Sequence, residues 1–148
     1  MGGGLAMAIA ADYPDLLNKI VVVDALPCLL ALTNPEFKSV ADNDCSNLVD
    51  QIMKMPEDQF IQMQKMSVAS LSANQSKHDE ILSWSLKSDR KTFAQMFCDF
   101  SNTDLRQRIK NVQIPSLILL EAPFKTIEDS INEQYKEMPS AQLKYANK

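Results

Sequence analysis

A chain of 148 residues, 45% hydrophobic and 23% charged, can bury the core of one ordinary domain or part of a larger one, and its composition is not that of a disordered segment. Its 15 Lys plus Arg against 19 Asp plus Glu give a net charge of −4, with no basic stripe interleaved with aromatics, which argues against a dedicated nucleic-acid binder. No apolar run approaches the ~20 residues of a membrane span, and the N-terminus lacks the charged and long apolar regions of a signal peptide.

The first element is an Ala-rich helix opened by three glycines, Met1-Gly2-Gly3-Gly4-Leu5-Ala6 and onward to Ala11. Glycines there let backbone approach backbone, and the alanines give narrow faces for pressing onto a sheet, with Leu5 and Ile9 as one larger ridge. Asp12-Tyr13-Pro14-Asp15 ends the helix. Lys19-Ile20-Val21-Val22-Val23-Asp24 then reads as a strand without polar alternation, the pattern of a parallel sheet covered on both faces. No strand precedes the glycines, so the sequence reads as starting inside a strand–turn–helix–strand motif.

From Pro27 to about Lys110 the pattern is helical throughout. Apolar stripes run through Leu48, Val49, Ile52 and Met53, through Phe60, Met63 and Met66 behind Pro56-Glu57-Asp58, and through Ile81, Leu82, Trp84 and Leu86. Phe93, Met96, Phe97 and Phe100 make the plainest amphipathic helix, behind Ser88-Asp89-Arg90-Lys91 as a solvated start, and Leu105, Ile109 and Val112 carry a short last one. Most of the Met, Phe and Trp side chains are expected in core; an apolar acyl or aryl pocket is the other reading. Asp42-Asn43-Asp44 lacks the remainder of a calcium loop, so no metal is expected there.

Sheet character returns at Ile114–Glu121, followed by Ala122-Pro123, a helix with Ile127, Ile131, Tyr135 and Met138 on one face, and a strand over Gln142–Ala146. Cys28, Cys45 and Cys98 are odd in number and scattered; one bridge fits such a set, but buried free thiols are the expectation.

Met1-Gly2-Gly3-Gly4-Leu5-Ala6 resembles the tail of the G-x-S-x-G nucleophile elbow of α/β-hydrolase-fold enzymes. The order helix, strand, helical insertion, strand, helix, strand is similar to the segment of that family between nucleophile and catalytic histidine. Asp104-Leu105-Arg106 with Val112-Gln113-Ile114-Pro115 looks like its run from the last cap helix into the next core strand. The resemblance implies a partial doubly wound α/β sheet of three strands with an inserted all-helical cap. Residues 1–26 and 111–148 would be core segments and 27–110 the cap.

By that resemblance, Gly2 is the elbow's final glycine and the N–H of Met1 an oxyanion-hole donor in a full-length parent, whose serine would precede Met1. The histidine would follow the last strand. His78, the one histidine, is expected as an exposed surface residue. The triad acid is then the member this chain could hold. Asp24 ends the first strand, where some members, including certain haloalkane dehalogenases, keep their carboxylate. It reads equally as a structural carboxylate capping the loop that follows. After the second strand the family pattern is Gly-x-x-Asp; Glu121-Ala122-Pro123-Phe124 departs from it, with Phe124 at the aspartate's place and Glu121 as reserve acid.

The implied function is a fragment of a serine hydrolase acting on carboxylic esters or related small-molecule acyl substrates, without cofactor, and inactive as the chain stands. The alternative is a non-catalytic interaction module derived from a truncated hydrolase. In either case the first strand would be an exposed sheet edge, open to self-association.

Overall fold

Three parallel strands form one open sheet in the order β1–β2–β3 in the computed structural model, which describes residues 1–147; Lys148, the end of the last expected segment, lies outside the described residues. β1 is Ile20–Val23, β2 Ser116–Leu120 and β3 Ala141–Tyr145. Register runs from Ile20 opposite Ser116 to Val23 opposite Leu119, and from Ser116 opposite Ala141 to Leu120 opposite Tyr145. The two apolar runs expected to share a sheet are thus adjacent and co-directional. Parallel neighbours require long crossovers. The first carries helices α2 (Ser46–Lys54), α3 (Glu57–Leu71), α4 (His78–Lys87) and α5 (Arg90–Ser101); the second carries α6 (Glu128–Tyr135). Helix α1 (Gly2–Asp12) precedes β1.

The chain divides into two compact units, Met1–Ala41 with Ser101–Lys148, and Asp42–Phe100. In the first, Met7, Ala10 and Ala11 of α1 join Ile20 and Val22 of β1, Ile118 and Leu120 of β2, and Ile131 and Tyr135 of α6 in one buried cluster. Glycine is required at one point of that packing. A Cβ on Gly3 would stand 2.6 Å from the Ala25 Cβ and 2.8 Å from a Val22 methyl, so α1 meets β1 backbone to side chain.

Three expectations for this unit are corrected. Leu5 and Ile9 are not the ridge that meets the sheet: they are 63% and 39% exposed, while Met7 is fully buried. At 100° per residue they lie roughly half a turn from Met7, on the helix's other side. Nor is β1 covered on both faces. Ile20 and Val22 are buried, whereas Val21 and Val23 are 58% and 66% exposed. The buried members of β1, β2, α1 and α6 all belong to one cluster, so the described helices cover one face of the sheet. The expected helix through Leu105 and Ile109 is a single turn of 3-10 helix, Ile109–Asn111.

The second unit is built on a small core of Ile52, Phe60 and Ala94, with Leu48, Val49, Met55 and Met63 packed on it. Pro56 and the acidic Glu57 and Asp58 open α3 as their placement at a positive helix end dictates. Asp89 caps α5, its Oδ1 accepting from the Thr92 N–H at 2.8 Å. Arg90 donates to the Met55 carbonyl at 3.0 Å and lies 4.0 Å over the Phe60 ring, holding the start of α5 against α3. Cys45 and Cys98 form a disulfide, which corrects the expectation of free thiols; only Cys28 remains unbridged, and it is buried. Most of the large side chains assigned to core are also open: Met53, Met66, Trp84, Met96 and Phe97 are exposed. Helical spacing marks one face of a helix but does not supply a partner for it, and this unit encloses only the positions nearest Ala94.

Candidate active site

The carboxyl ends of β1 and β2 bring two of the candidate residues together. The Asp24 N–H donates to the Leu119 carbonyl at 2.8 Å, continuing the parallel ladder one residue past β1. There the backbone turns into the left-handed region, with Asp24 at φ +50°, the one non-glycine residue at positive φ among those described. Aspartate tolerates this conformation better than β-branched residues do, and such positions cluster at functional sites. The turn points the carboxylate across to the next strand's exit, where Oδ1 accepts the Glu121 N–H at 3.3 Å. Asp24 and Glu121 are both exposed.

Behind Asp24 the chain enters the core, and Ala25 to Cys28 are all buried. The Tyr135 hydroxyl donates to the Ala25 carbonyl at 2.5 Å, and the Cys28 N–H donates to Gln134 Oε1 at 3.0 Å. The Leu105 N–H donates to the Pro27 carbonyl at 2.9 Å. Burial holds the Tyr135 phenol far above its ordinary pKa, so it remains a donor at any working pH. Burial likewise raises the Cys28 thiol, against smaller opposing hydrogen bonds, and leaves it a neutral core side chain. Tyr135 and Gln134 therefore fix the loop that presents Asp24. Helical spacing puts Tyr135 on an apolar face and gives Gln134 no signal; two neighbouring polar groups on α6 carry no pattern that announces a bond to residues over one hundred positions away.

The other candidates sit at the same end of the sheet. The Met1 carbonyl accepts the Leu5 N–H at 3.2 Å as α1 begins, and Met1 is about half exposed. Gly3 against Val22 and Ala25 sets this helix start beside the carboxyl end of β1, where open parallel sheets assemble their sites. Nothing lies within 4 Å of where a Cβ on Gly2 would be. Phe124, at the position where the resemblance expects an aspartate, is half-buried and packs on the core cluster.

His78 belongs to the second unit, at the start of α4, and corrects the expectation of an exposed residue. It is half-buried, and its Nε2–H donates to the Ser72 carbonyl at 2.8 Å, closing the link from α3 to α4. Asp44 Oδ1 accepts the Ser46 N–H at 2.9 Å, which makes the Asp42–Asp44 stretch a turn into α2. Among the described residues no group of three His, Cys, Asp or Glu is placed to hold a metal, and no helix is long and apolar enough to cross a membrane.

No family model matches the chain, and no curated protein matches its sequence. Solved structures do match its shape. The enol-lactonase from Burkholderia xenovorans aligns over 99% of this chain and 54% of its own, with 12% identity and a TM-score of 0.68. MenH from S. aureus aligns over 97% and 55%, with 15% identity and a TM-score of 0.69. An alpha/beta fold family hydrolase from Bacillus anthracis aligns over 99% and 56%, with 19% identity and a TM-score of 0.56. The chain spans about half the length of these structures. Over that half, its three parallel strands and surrounding helices have the α/β-hydrolase fold.

Proposed function

We propose that this chain is the part of an α/β-hydrolase-type enzyme that carries the triad acid, acting by serine catalysis on carboxylic esters or related small-molecule acyl substrates. The observation that carries the reading is Asp24. It is a carboxylate on a left-handed turn at the carboxyl end of a parallel strand, anchored from behind by α6 and placed beside the start of a glycine-led helix. In a longer protein with a Gly-x-Ser before Met1, the serine Oγ attacks the acyl carbonyl carbon as a histidine takes its proton. The Met1 N–H then donates to the oxyanion, and Asp24 holds the histidine's tautomer. The tetrahedral intermediate expels the alcohol, which takes the proton back from the histidine, and water releases the acyl group by the same steps. Residues 27–110 would form the cap over the acyl site.

The test is direct. In protein extended upstream and downstream in the same reading frame, Asp24→Asn lowers kcat for p-nitrophenyl butyrate by about ten-thousandfold, the scale of a lost triad acid. Residues 1–148 alone give no turnover. Loss on Glu121→Gln with Asp24→Asn active would transfer the acid to Glu121; turnover by the short chain would overturn the assignment.

One observation favours a second reading, an interaction module without catalysis: β1 is an edge strand whose Val21 and Val23 are exposed. An in-frame stop immediately upstream of Met1 would support it.

A further inference from the structure

Helix α2 has little to hold it. It is nine residues long, shorter than the ~12–15 that a helix needs to persist by itself in water, and Ile52 is the one side chain it buries. Leu48 and Val49 pack on the same small core from partly buried positions. Past its C-terminus the Met55 carbonyl accepts from Arg90 of α5 at 3.0 Å. At its N-terminus the anchor is covalent: Cys45, the residue that caps α2, is bridged to Cys98 near the end of α5.

Two features make that bridge a site for exchange as well as a brace. Solvent reaches it from one side, since Cys98 is half-buried while Cys45 is 5% exposed. The Asn43 side-chain amide also straddles it, Nδ2 standing 3.2 Å from Cys98 Sγ and 3.3 Å from Cys45 Sγ. A disulfide sulfur is a weak acceptor, so this donor adds little to the closed bridge. During thiol–disulfide exchange negative charge spreads over the sulfurs as the bond breaks, and a donor already in place is then worth more. Asp99 Oδ1, 3.5 Å from Cys45 Sγ, acts at the next stage, accepting the S–H of Cys45 once that sulfur is protonated. A thiol held so is slow to attack again, because the thiolate is the nucleophile.

We propose that the Cys45–Cys98 bridge is a redox latch on α2, opened by a small thiol. The thiolate attacks Cys98 Sγ, the electron pair of the Cys45–Cys98 bond leaves on Cys45 Sγ beside Asn43, and Cys45 takes a proton from water. Cys98 is left as a mixed disulfide. A second thiolate attacks the small-molecule sulfur of that mixed disulfide and expels Cys98, so the bridge gains two electrons and the two small thiols leave joined as their own disulfide. With the brace gone, α2 opens ahead of α3 and α5. Leu48 and Ile52 then withdraw from a cleft of about 310 Å³ that they wall together with side chains of α3 and α5. Every group involved lies within the second unit, and the latch does not depend on the acyl-transfer reading.

The probe is cysteamine, added to the oxidised 148-residue chain at neutral pH; acid quenching, alkylation with N-ethylmaleimide and peptide mapping by mass spectrometry follow. The first product carries cysteamine on Cys98 and maleimide on Cys45. Asn43→Ala slows its formation about fivefold, the worth of one hydrogen bond, and the isosteric Asn43→Asp slows it further. These signs separate attack on the folded unit from attack after unfolding, because a variant that only loosened the turn would speed reduction. A first adduct on Cys45 overturns the proposal, as does an Asn43→Asp chain reduced as fast as wild type or faster. Hydrogen exchange of the fully reduced chain reads the latch itself: amides of α2 lose more protection than those of α3 and α5. Equal loss across the three helices overturns it too.

Discussion

Arg106 and Asp104, two residues apart, close a two-toothed ion pair, Nε to Oδ1 at 2.9 Å and Nη2 to Oδ2 at 2.8 Å. The same guanidinium donates to the carbonyls of Pro35, at 2.7 Å, and Phe37. One side chain thus ties the segment that leaves β1 to the segment that returns toward β2. Both side chains are largely buried, at 21% and 14% exposed, so the pair is worth more than a surface bridge.

Arg106→Ala is expected to cost about 2 to 3 kcal/mol, since it removes the guanidinium from two carbonyls and from the Asp104 carboxylate, which keeps only the backbone N–H of residue 106 at 3.0 Å. Arg106→Lys recovers little of this, because an ammonium cannot make the planar fork. The Arg106 hydrogen bonds hold the Asp104 carboxyl below its ordinary 3.8, partly offset by burial. A carboxyl with a lowered folded pKa contributes stability above the unfolded value and loses it as pH falls through the folded one. Urea midpoints of wild type and Asp104→Asn should therefore lie far apart at neutral pH and converge below pH 3.8. A constant separation down to strong acid would remove the pair from the stability of this unit.

The glycine trio is expected to divide by position. Gly3→Ala forces a Cβ into Ala25 and Val22 and should destabilise by about 1 to 2 kcal/mol despite alanine's better helix propensity. Gly2→Ala meets open space and should be neutral or stabilising by up to about 0.5 kcal/mol. Thermal melts of the two variants decide this; equal destabilisation would mean that helix capping, not close packing, selects both glycines.

What the sequence made legible follows from range. Strand β1 stands out as a short β-branched run and β2 as a short apolar one, and α3 announces its start through Pro56, Glu57 and Asp58, because those signals are local. The face that each element buries is a tertiary property. Leu5 and Val21 are as apolar as Met7 and Val22, and nothing in their neighbours says which will find a partner. At the candidate site, Asp24 was identifiable from the end of its strand. Its left-handed turn, the Glu121 N–H on its carboxylate and the Tyr135 anchor all depend on residues brought from the far end of the chain.

The Cys45–Cys98 bridge illustrates the same limit, and its energy can be measured. It closes a loop across 53 positions within the second unit, which chain entropy values at about 4 kcal/mol. Cys45→Ser, or reduction, is expected to lower the stability of α2 to α5 by roughly that amount and to leave amides of β1 and β2 protected from hydrogen exchange. Cys28, fully buried with its pKa raised by burial, should resist iodoacetamide at mildly alkaline pH until denaturant is added. Rapid alkylation of the native chain would contradict its placement beneath the Asp24 loop.

The last prediction concerns the open side of the sheet. β1 is an edge, and Val21 and Val23 stand exposed on the face opposite the buried cluster, beside Leu119 at 37% exposure on β2. Unpaired strand N–H and C=O groups together with an apolar face form a template for another strand. The short chain is expected to associate with increasing concentration in sedimentation velocity. Val21→Lys should return it toward monomer without lowering its melting temperature, because the new ammonium replaces a side chain that already faces water. Association unchanged by Val21→Lys would assign it to a different surface, the exposed Leu5 and Ile9 side of α1 being the next to vary. In the longer protein of the acyl-transfer reading, further chain covers this face. There the same substitution buries an ammonium and should lower the melting temperature instead, so one variant measured in both lengths separates a covered face from a free one.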